Sequence, residues 1–149
     1  MTQSIQVDAD LLRREVSSKY KEVALNPGGD FHFHTGRSLA AKLGYDQPIV
    51  DALPDAAVES FSGIGNPFLL RTLDKGENVV DCGAGAGFDC FVAASQVGDT
   101  GRVVGIDMTA EMLTKSRATA ASMGQDNVEF REGYLEAIPV EDGWADVVI

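Results

Sequence analysis

Basic residues and cysteines are scarce in this sequence, and both shortages exclude classes of protein. Its 12 lysines and arginines stand against 23 aspartates and glutamates, a formal net charge of −11. Nucleic acid is therefore not an expected partner, because phosphate neutralisation needs clustered basic side chains. The two cysteines, Cys82 and Cys90, are too few and wrongly placed for a disulfide scaffold or a zinc site. We predict that both serve packing.

Long apolar runs and targeting signals are also missing. No stretch approaches the roughly 18 consecutive apolar residues of a membrane-spanning helix. The first residues lack the charged, apolar and cleavable pattern of a signal peptide. We therefore expect no membrane partner and a cytoplasmic location.

The order of secondary-structure signals divides the chain into two regions. Before residue 76 the apolar spacing predicts short helices and no strand, with helices near 8–24, 38–43 and 54–60. From Glu77 onward strands and helices alternate, which predicts an α/β fold with a parallel sheet. The predicted strands lie near 77–82, 102–107, 127–131 and 145–149, and the predicted helices between them near 86–97 and 109–123. Right-handed crossovers place the first strand between the second and the fourth.

A glycine-rich turn follows the first predicted strand. Asp81 precedes glycines at alternate positions, Gly83, Gly85 and Gly87, and an apolar helix pattern begins there. Glycine has no Cβ, so such a turn can take positive φ and let a ligand approach the backbone closely. The next strand ends on Asp107, whose two oxygens can accept hydrogen bonds from both hydroxyls of a ribose. Together these residues predict a site for an adenosine-type cofactor at the carboxyl ends of the strands.

The residues around both strand ends resemble a known family. Residues 79–91, with the glycine turn, and residues 101–113, with Asp107, are similar to the S-adenosylmethionine (SAM)-dependent methyltransferases. Within that superfamily they are most similar to the arsenite methyltransferases. The stretches 127–133 and 136–140 support the resemblance.

The resemblance implies a fold and a division of the chain. It covers residues 53–149 well and residues 10–52 loosely. We predict a Rossmann-like, SAM-binding core at 76–149 and an N-terminal helical cap or lid at 1–75. The family's sheet has more strands than the four predicted here, so we expect this chain to be the front half of the fold. If the natural protein ended inside the fourth strand, the exposed sheet edge would favour self-association.

The resemblance also implies which residues bind the methionine and ribose parts of SAM. The backbone of Gly83, Ala84, Gly85 and Gly87 would lie against both parts. Asp81 would order the turn and reach the amino group of the cofactor, directly or through water.

The resemblance also implies contacts to the adenine ring of SAM, although one side chain of the family pattern is replaced here. Met108 follows Asp107, where the family places a side chain against the adenine ring. Tyr134 stands where the family often has an acidic residue, so the backbone N–H of Leu135 is the implied contact to the ring. Tyr20 is similar in position to an N-terminal family tyrosine near the cofactor.

The implied reaction transfers the methyl group of SAM to a small-molecule acceptor and leaves S-adenosyl-L-homocysteine (SAH). We assign no catalytic base, because a soft nucleophile needs positioning more than proton transfer. Arsenite methyltransferases hold arsenic with cysteine thiolates, but residues 28–36 contain none and Ile64 occupies a position where those enzymes often have cysteine. Another acceptor, or a SAM-binding regulator or pseudoenzyme without catalysis, therefore stays open. A nicotinamide-dependent dehydrogenase is a further alternative, but it should show G-x-G-x-x-G.

The only histidines, His32 and His34, lie two residues apart. In an extended segment both imidazoles would share one side, as in a metal site or a proton-transfer site. No nearby cysteine or carboxylate cluster completes a set of ligands. We therefore favour a structural or substrate-pocket role and predict no metal site.

Overall fold

The computed structural model describes residues 7–149, so residues 1–6 of the predicted cap lie outside the described range. The N-terminal region contains α1 (Ala9–Leu25), α2 (Gly36–Lys42), α3 (Gln47–Ala52), α4 (Asp55–Val58) and a 3-10 helix (Pro67–Leu69). Then follow β1 (Asn78–Cys82), α5 (Phe88–Val97), β2 (Arg102–Asp107), α6 (Ala110–Met123), β3 (Val128–Glu132) and β4 (Val147–Val148). None of the helices in residues 7–149 is both long and apolar enough to cross a membrane.

The four strands form one parallel sheet in the order β3-β2-β1-β4. This confirms the predicted α/β class, the Rossmann-like parallel sheet and the place of β1 between β2 and β4. In the register of β1 and β2, Asp81 lies opposite Gly105 and Cys82 opposite Ile106. The turn after β1 and Asp107 at the end of β2 therefore lie side by side at the carboxyl edge of the sheet.

Helices α5 and α6 supply most of the apolar cover of the sheet. In α5 most residues are buried, including Phe88, Cys90 and Phe91, as expected for a helix between a sheet and a second layer of helices. In α6 one narrow face, made mostly of small residues, lies against the sheet: Met112, Ser116, Thr119 and Ala120 are buried together with Leu113, and Met123 is partly buried. Small side chains on that face let the helix lie close to the sheet.

The N-terminal helices share their core with the sheet. Tyr45, Val50, Val58 and Phe61 are buried in the same apolar cluster as Phe88 of α5. The two regions therefore fold around one hydrophobic core. The division into a cap at 1–75 and a core at 76–149 stays a prediction about chain organisation.

A lysine on α6 adds a polar link between the two regions. The ammonium group of Lys115 donates to Glu59 Oε1 at 2.5 Å and to Ser60 Oγ at 2.8 Å. It also lies 3.4 Å from the carbonyl oxygen of Ala24 near the end of α1. Because the side chain of Lys115 is only 16% exposed, this ion pair is less screened by water than an ordinary surface pair.

Three local features differ from the expectations drawn from the sequence. The helix expected near 54–60 is limited to α4, and α3, with a proline in its first turn, was not expected. In α1 the residues at helical spacing do not form one buried stripe: Val23 is buried, whereas Leu11 and Leu12 are about half exposed. Helical spacing identifies a face of a helix, but the neighbouring chain decides how much of that face is covered.

Candidate functional site

The glycine-rich turn after β1 is tied to the end of β2. The backbone N–H groups of Gly83 and Ala84 both donate to the carbonyl oxygen of Ile106, at 2.8 and 2.9 Å. Gly83, Gly85 and Gly87 have φ values of +85°, +54° and +92°, a region that side chains with a Cβ adopt only with strain. Glycine at all three positions is therefore a requirement of the backbone path.

The first and last glycines of the turn have different surroundings. A Cβ placed on Gly83 would meet no atom within 4 Å, whereas a Cβ on Gly87 would lie 2.6 Å from Cζ of Phe130 and 3.0 Å from Cε2 of Phe91. Gly83 faces open space that a ligand can fill. Gly87 instead allows close packing of the turn on the core, and it does not line the cavity described below.

Asp107 connects the two strand ends. Its Oδ2 accepts a hydrogen bond from the backbone N–H of Gly85 at 2.9 Å, and its Oδ1 accepts one from Thr109 at 2.8 Å. Each carboxylate oxygen has a second lone pair. The carboxylate is therefore fixed in orientation and still able to accept two further hydrogen bonds from a ligand.

A cavity of about 430 Å³ opens above these strand ends, a size within the usual range for small-molecule sites. Eight of the residues predicted from the sequence line it: Tyr20, Gly83, Ala84, Gly85, Asp107, Met108, Tyr134 and Leu135. The N-terminal helices form the facing wall, with Arg13 and Val16 of α1 and the segment 60–63. Residues of the N-terminal region and of the sheet region thus line one cavity together.

Asp81 lies beneath the turn, outside the lining of this cavity. It is 6% exposed, and the thiol of Cys90 donates to its Oδ2 at 3.2 Å. Burial, followed by the nearby charge of Asp89, raises the pKa of Asp81 to about 7. Of the two predicted contacts between Asp81 and the cofactor amino group, this position fits the one through water and not the direct one. Cys90 has a polar partner besides its packing role.

A different carboxylate lines the cavity near the same turn. Asp89, in the first turn of α5, accepts a hydrogen bond on Oδ1 from the hydroxyl of Tyr45 at 2.6 Å. Burial raises the pKa of Asp89 to about 6, and the bond from Tyr45 opposes that rise. Burial also raises the pKa of Tyr45, so the tyrosine stays a donor at neutral pH.

The mouth of the cavity is bridged by an ion pair. The guanidinium group of Arg13 on α1 donates to Glu136 Oε1 at 2.6 Å and lies 5.2 Å from the ring centroid of Tyr134. All three residues line the cavity. The pair is partly exposed to water, so it orients the two sides more than it stabilises them.

Sequence reasoning missed Arg13, Asp89 and Glu136 as site residues. Asp89 and Glu136 lie inside stretches that carry the family resemblance, and their position there was the only available signal. Arg13 has no distinguishing signal, because nothing in the sequence separates it from Arg14 beside it.

The two histidines lie away from the cavity. His32 and His34 are exposed and do not line it, so the predicted substrate-pocket alternative has no support in this arrangement. His34 Nε2 lies 3.3 Å from the ammonium group of Lys42. Within residues 7–149 no group of three or more histidine, cysteine or acidic side chains is placed to hold a metal ion.

Comparison with known proteins agrees with the geometry of the turn and the sheet. A family model described as a methyltransferase domain matches residues 73–149, which is the region of the sheet and the glycine turn. The chain belongs to this methyltransferase family. The match begins just before β1 and includes every strand of the sheet.

Similar proteins include arsenite methyltransferases. One from Halobacterium salinarum is 44% identical over 122 residues, which are 82% of this chain and 31% of that protein. A protein-L-isoaspartate O-methyltransferase of Methanococcus maripaludis is 35% identical over 74 residues, 46% of this chain and 35% of the relative. This chain thus spans about a third of the length of these curated relatives.

A solved structure extends the similarity to the fold of the N-terminal region. CrArsM, an arsenic(III) S-adenosylmethionine methyltransferase from Chlamydomonas reinhardtii, is 33% identical to this chain, with a TM-score of 0.61. The alignment covers 68% of this chain and 36% of that structure. Since 68% exceeds the share of the chain in the sheet region, part of the N-terminal layer is matched as well.

Proposed function

We propose that this protein binds SAM in the cavity above the sheet and transfers its methyl group to a small-molecule acceptor, releasing SAH. The observation that carries the proposal is the carboxylate of Asp107, fixed by two backbone N–H groups with lone pairs left for a ribose. The relatives that share this chain's strands and turn are methyltransferases by name.

The residues present fit the proposed cofactor. The open space at Gly83 admits a ligand against the backbone, and Met108 and Leu135 offer apolar surface beyond Asp107 for a base. In the proposal Asp107 accepts hydrogen bonds from the ribose hydroxyls. The turn from Gly83 to Gly85 lies against the methionine part of SAM, which carries the sulfur. Gly87 keeps the turn packed on the core.

When bound, SAM supplies an activated methyl group on a sulfonium. The chain's own contribution is positioning and the exclusion of water. Phe61 and Phe88, in contact at 4.2 Å between ring centroids, line the cavity between the cap and the turn. Val16 and Tyr20 of α1 cover the same space from the cap side, which supports a cap that closes the site.

The acceptor is proposed only as a small molecule. The formal charge of −11 disfavours a nucleic acid as acceptor. No cysteine is among the residues that line the cavity in the described part of the chain, and trivalent arsenic prefers sulfur ligands. Methylation of arsenite, the acceptor in the names of several relatives, therefore needs ligands that this chain does not place at the cavity.

The cofactor is tested by calorimetric titration of the chain with SAH. We expect micromolar binding that weakens roughly 10- to 100-fold in Asp107→Asn, because one acceptor oxygen becomes an amide donor. Asp126→Asn, an exposed aspartate outside the cavity, is the matched control and should bind like the wild type. No binding of SAH by the folded chain, or equal binding of NADH, would contradict the proposal.

A SAM-binding regulator without catalysis is the alternative that an acceptor screen has to exclude. Screening acceptors for SAH release, beginning with arsenite, distinguishes the two. Release with any acceptor excludes the regulator. Binding of SAH with no release across the screen favours it.

A further inference from the structure

One carboxylate of the cavity has no role in the contacts proposed above. Asp89 Oδ1 is held by the hydroxyl of Tyr45 at 2.6 Å, and Tyr45 is itself only 4% exposed. The ring of Tyr45 packs at 4.9 Å from that of Phe88 and 5.4 Å from that of Phe61. The carboxylate is therefore held in one orientation by a rigid, buried partner.

The second oxygen of Asp89, Oδ2, has no hydrogen-bond partner among residues 7–149. Every fully buried side-chain oxygen or nitrogen in that range does have a hydrogen-bond partner. Oδ2 must therefore have accessible surface, and Asp89 is one of the residues that line the cavity. An acceptor with a free lone pair in a mostly apolar site is placed to receive a donor from a ligand.

The charge balance of the cavity favours a cationic donor. Its described lining contains three carboxylates, Asp89, Asp107 and Glu136, against the single guanidinium of Arg13. Arg13 already pairs with Glu136 at 2.6 Å and with Asp10 at 2.9 Å. Burial raises the pKa of Asp89 to about 6, so its charge at neutral pH is poorly compensated until a cation binds.

We propose that Asp89, oriented by Tyr45, binds the α-ammonium group at the methionine end of the cofactor. The assignment rests on the proposed function above and moves this role from Asp81 to Asp89. Asp81 is sealed beneath the turn with Cys90 as its partner, so it has no direct access to a ligand. An ammonium donates to Oδ2, whereas a sulfonium has no N–H to donate.

Two ligands that differ only at the amino-acid end test this assignment. SAH carries the α-ammonium group, whereas 5′-methylthioadenosine has the same base, ribose and thioether without it. Calorimetric titration of both ligands into the wild type and into Asp89→Asn gives, for each ligand, the ratio of the two proteins' affinities. We expect Asp89→Asn to weaken SAH binding roughly 10- to 100-fold, as for loss of a charged hydrogen bond, and to leave 5′-methylthioadenosine binding unchanged.

Matched variants separate binding from a purely structural role. Tyr45→Phe keeps the ring and removes the hydroxyl, so it should weaken SAH binding by a smaller factor and again spare 5′-methylthioadenosine. Asp126→Asn, an exposed aspartate, should bind both ligands like the wild type. Thermal unfolding of each variant confirms that the titrated samples are folded.

Three outcomes of these titrations would overturn the assignment of Asp89. Equal weakening of both ligands in Asp89→Asn would overturn the assignment, since the pair would then only tether the cap to α5. Unchanged SAH binding in Asp89→Asn would also overturn it while leaving the proposed function intact. Failure of the folded wild type to bind either ligand would overturn the proposed function and the assignment with it.

Discussion

Replacing Asp81 by asparagine should remove the contribution of this carboxyl group to the pH dependence of the free energy of unfolding. In the native protein the pKa of Asp81 is raised to about 7 from 3.8, first by burial and next by the charge of Asp89. Below pH 3.8 both the folded and the unfolded chain hold the proton. As pH rises from 3.8 to 7, the unfolded chain releases it first, so stability from this group is lost across that window.

The magnitude follows from the two pKa values. A difference of about 3 units corresponds to about 4 kcal/mol in total, at 1.36 kcal/mol per unit. Between pH 5 and pH 8 the ionisation of Asp81 should lower the free energy of unfolding by about 2 to 3 kcal/mol. Asparagine has nearly the same shape and cannot ionise, so the stability of Asp81→Asn relative to wild type should rise by that amount between the two pH values.

Urea unfolding followed by the fluorescence of Trp144, the single tryptophan, measures this difference. Trp144 packs against the sheet face that carries Val80 and Val104, so its emission reports on the core. The exposed Asp126→Asn variant is the control and should show no such trend. An equal difference between Asp81→Asn and wild type at pH 5 and pH 8 would refute the raised pKa and the sealed position of Asp81.

Two further predictions concern packing. Gly87→Ala should lower stability by about 2 to 5 kcal/mol, since φ is +92° and the new Cβ would overlap a phenylalanine ring. The control is Gly124→Ala, where the backbone is also left-handed but a Cβ would lie in open space; it should lower stability by only about 1 to 2 kcal/mol. Thermal unfolding measures both losses. Similar losses in both would contradict the packing role of Gly87. Lys115→Met should cost about 1 to 3 kcal/mol in urea because Glu59 loses its partner, whereas Lys19→Met, which breaks an exposed pair within one helix, should cost under about 0.5 kcal/mol. Equal effects of the two lysine variants would contradict a larger contribution from the pair that links α6 to Glu59.

Much of the fold was predictable from local patterns. The apolar strands β1 and β2 were expected within a residue of their observed bounds, because buried parallel strands are continuous apolar runs between turn residues. The strand order followed from the handedness of crossovers. The short helix α3 was not predicted and α4 was predicted too long, since in so few residues tertiary contacts outweigh helix propensity.

The candidate site was predictable only where its parts adjoin a motif. Asp107 and the glycine turn belong to two consecutive strand ends, so their proximity follows from the topology. The pairs that complete the site join distant parts of the chain: Tyr45 and Asp89 are 44 residues apart, and Arg13 and Glu136 are 123 apart. No local spacing predicts such contacts, because they depend on how the N-terminal helices pack on the sheet.

The amino-acid sequence by itself determined the parallel sheet, the turn that requires glycine and the acidic residue at the end of β2. These features depend on backbone sterics and on the apolar character of short segments, which act locally. Only the tertiary structure decided that Gly83 faces a ligand cavity while Gly87 faces Phe130, and that Asp89 reaches the cavity while Asp81 is sealed. Residues of one type, a few positions apart, acquire different roles because burial and neighbouring side chains are set by packing between distant segments.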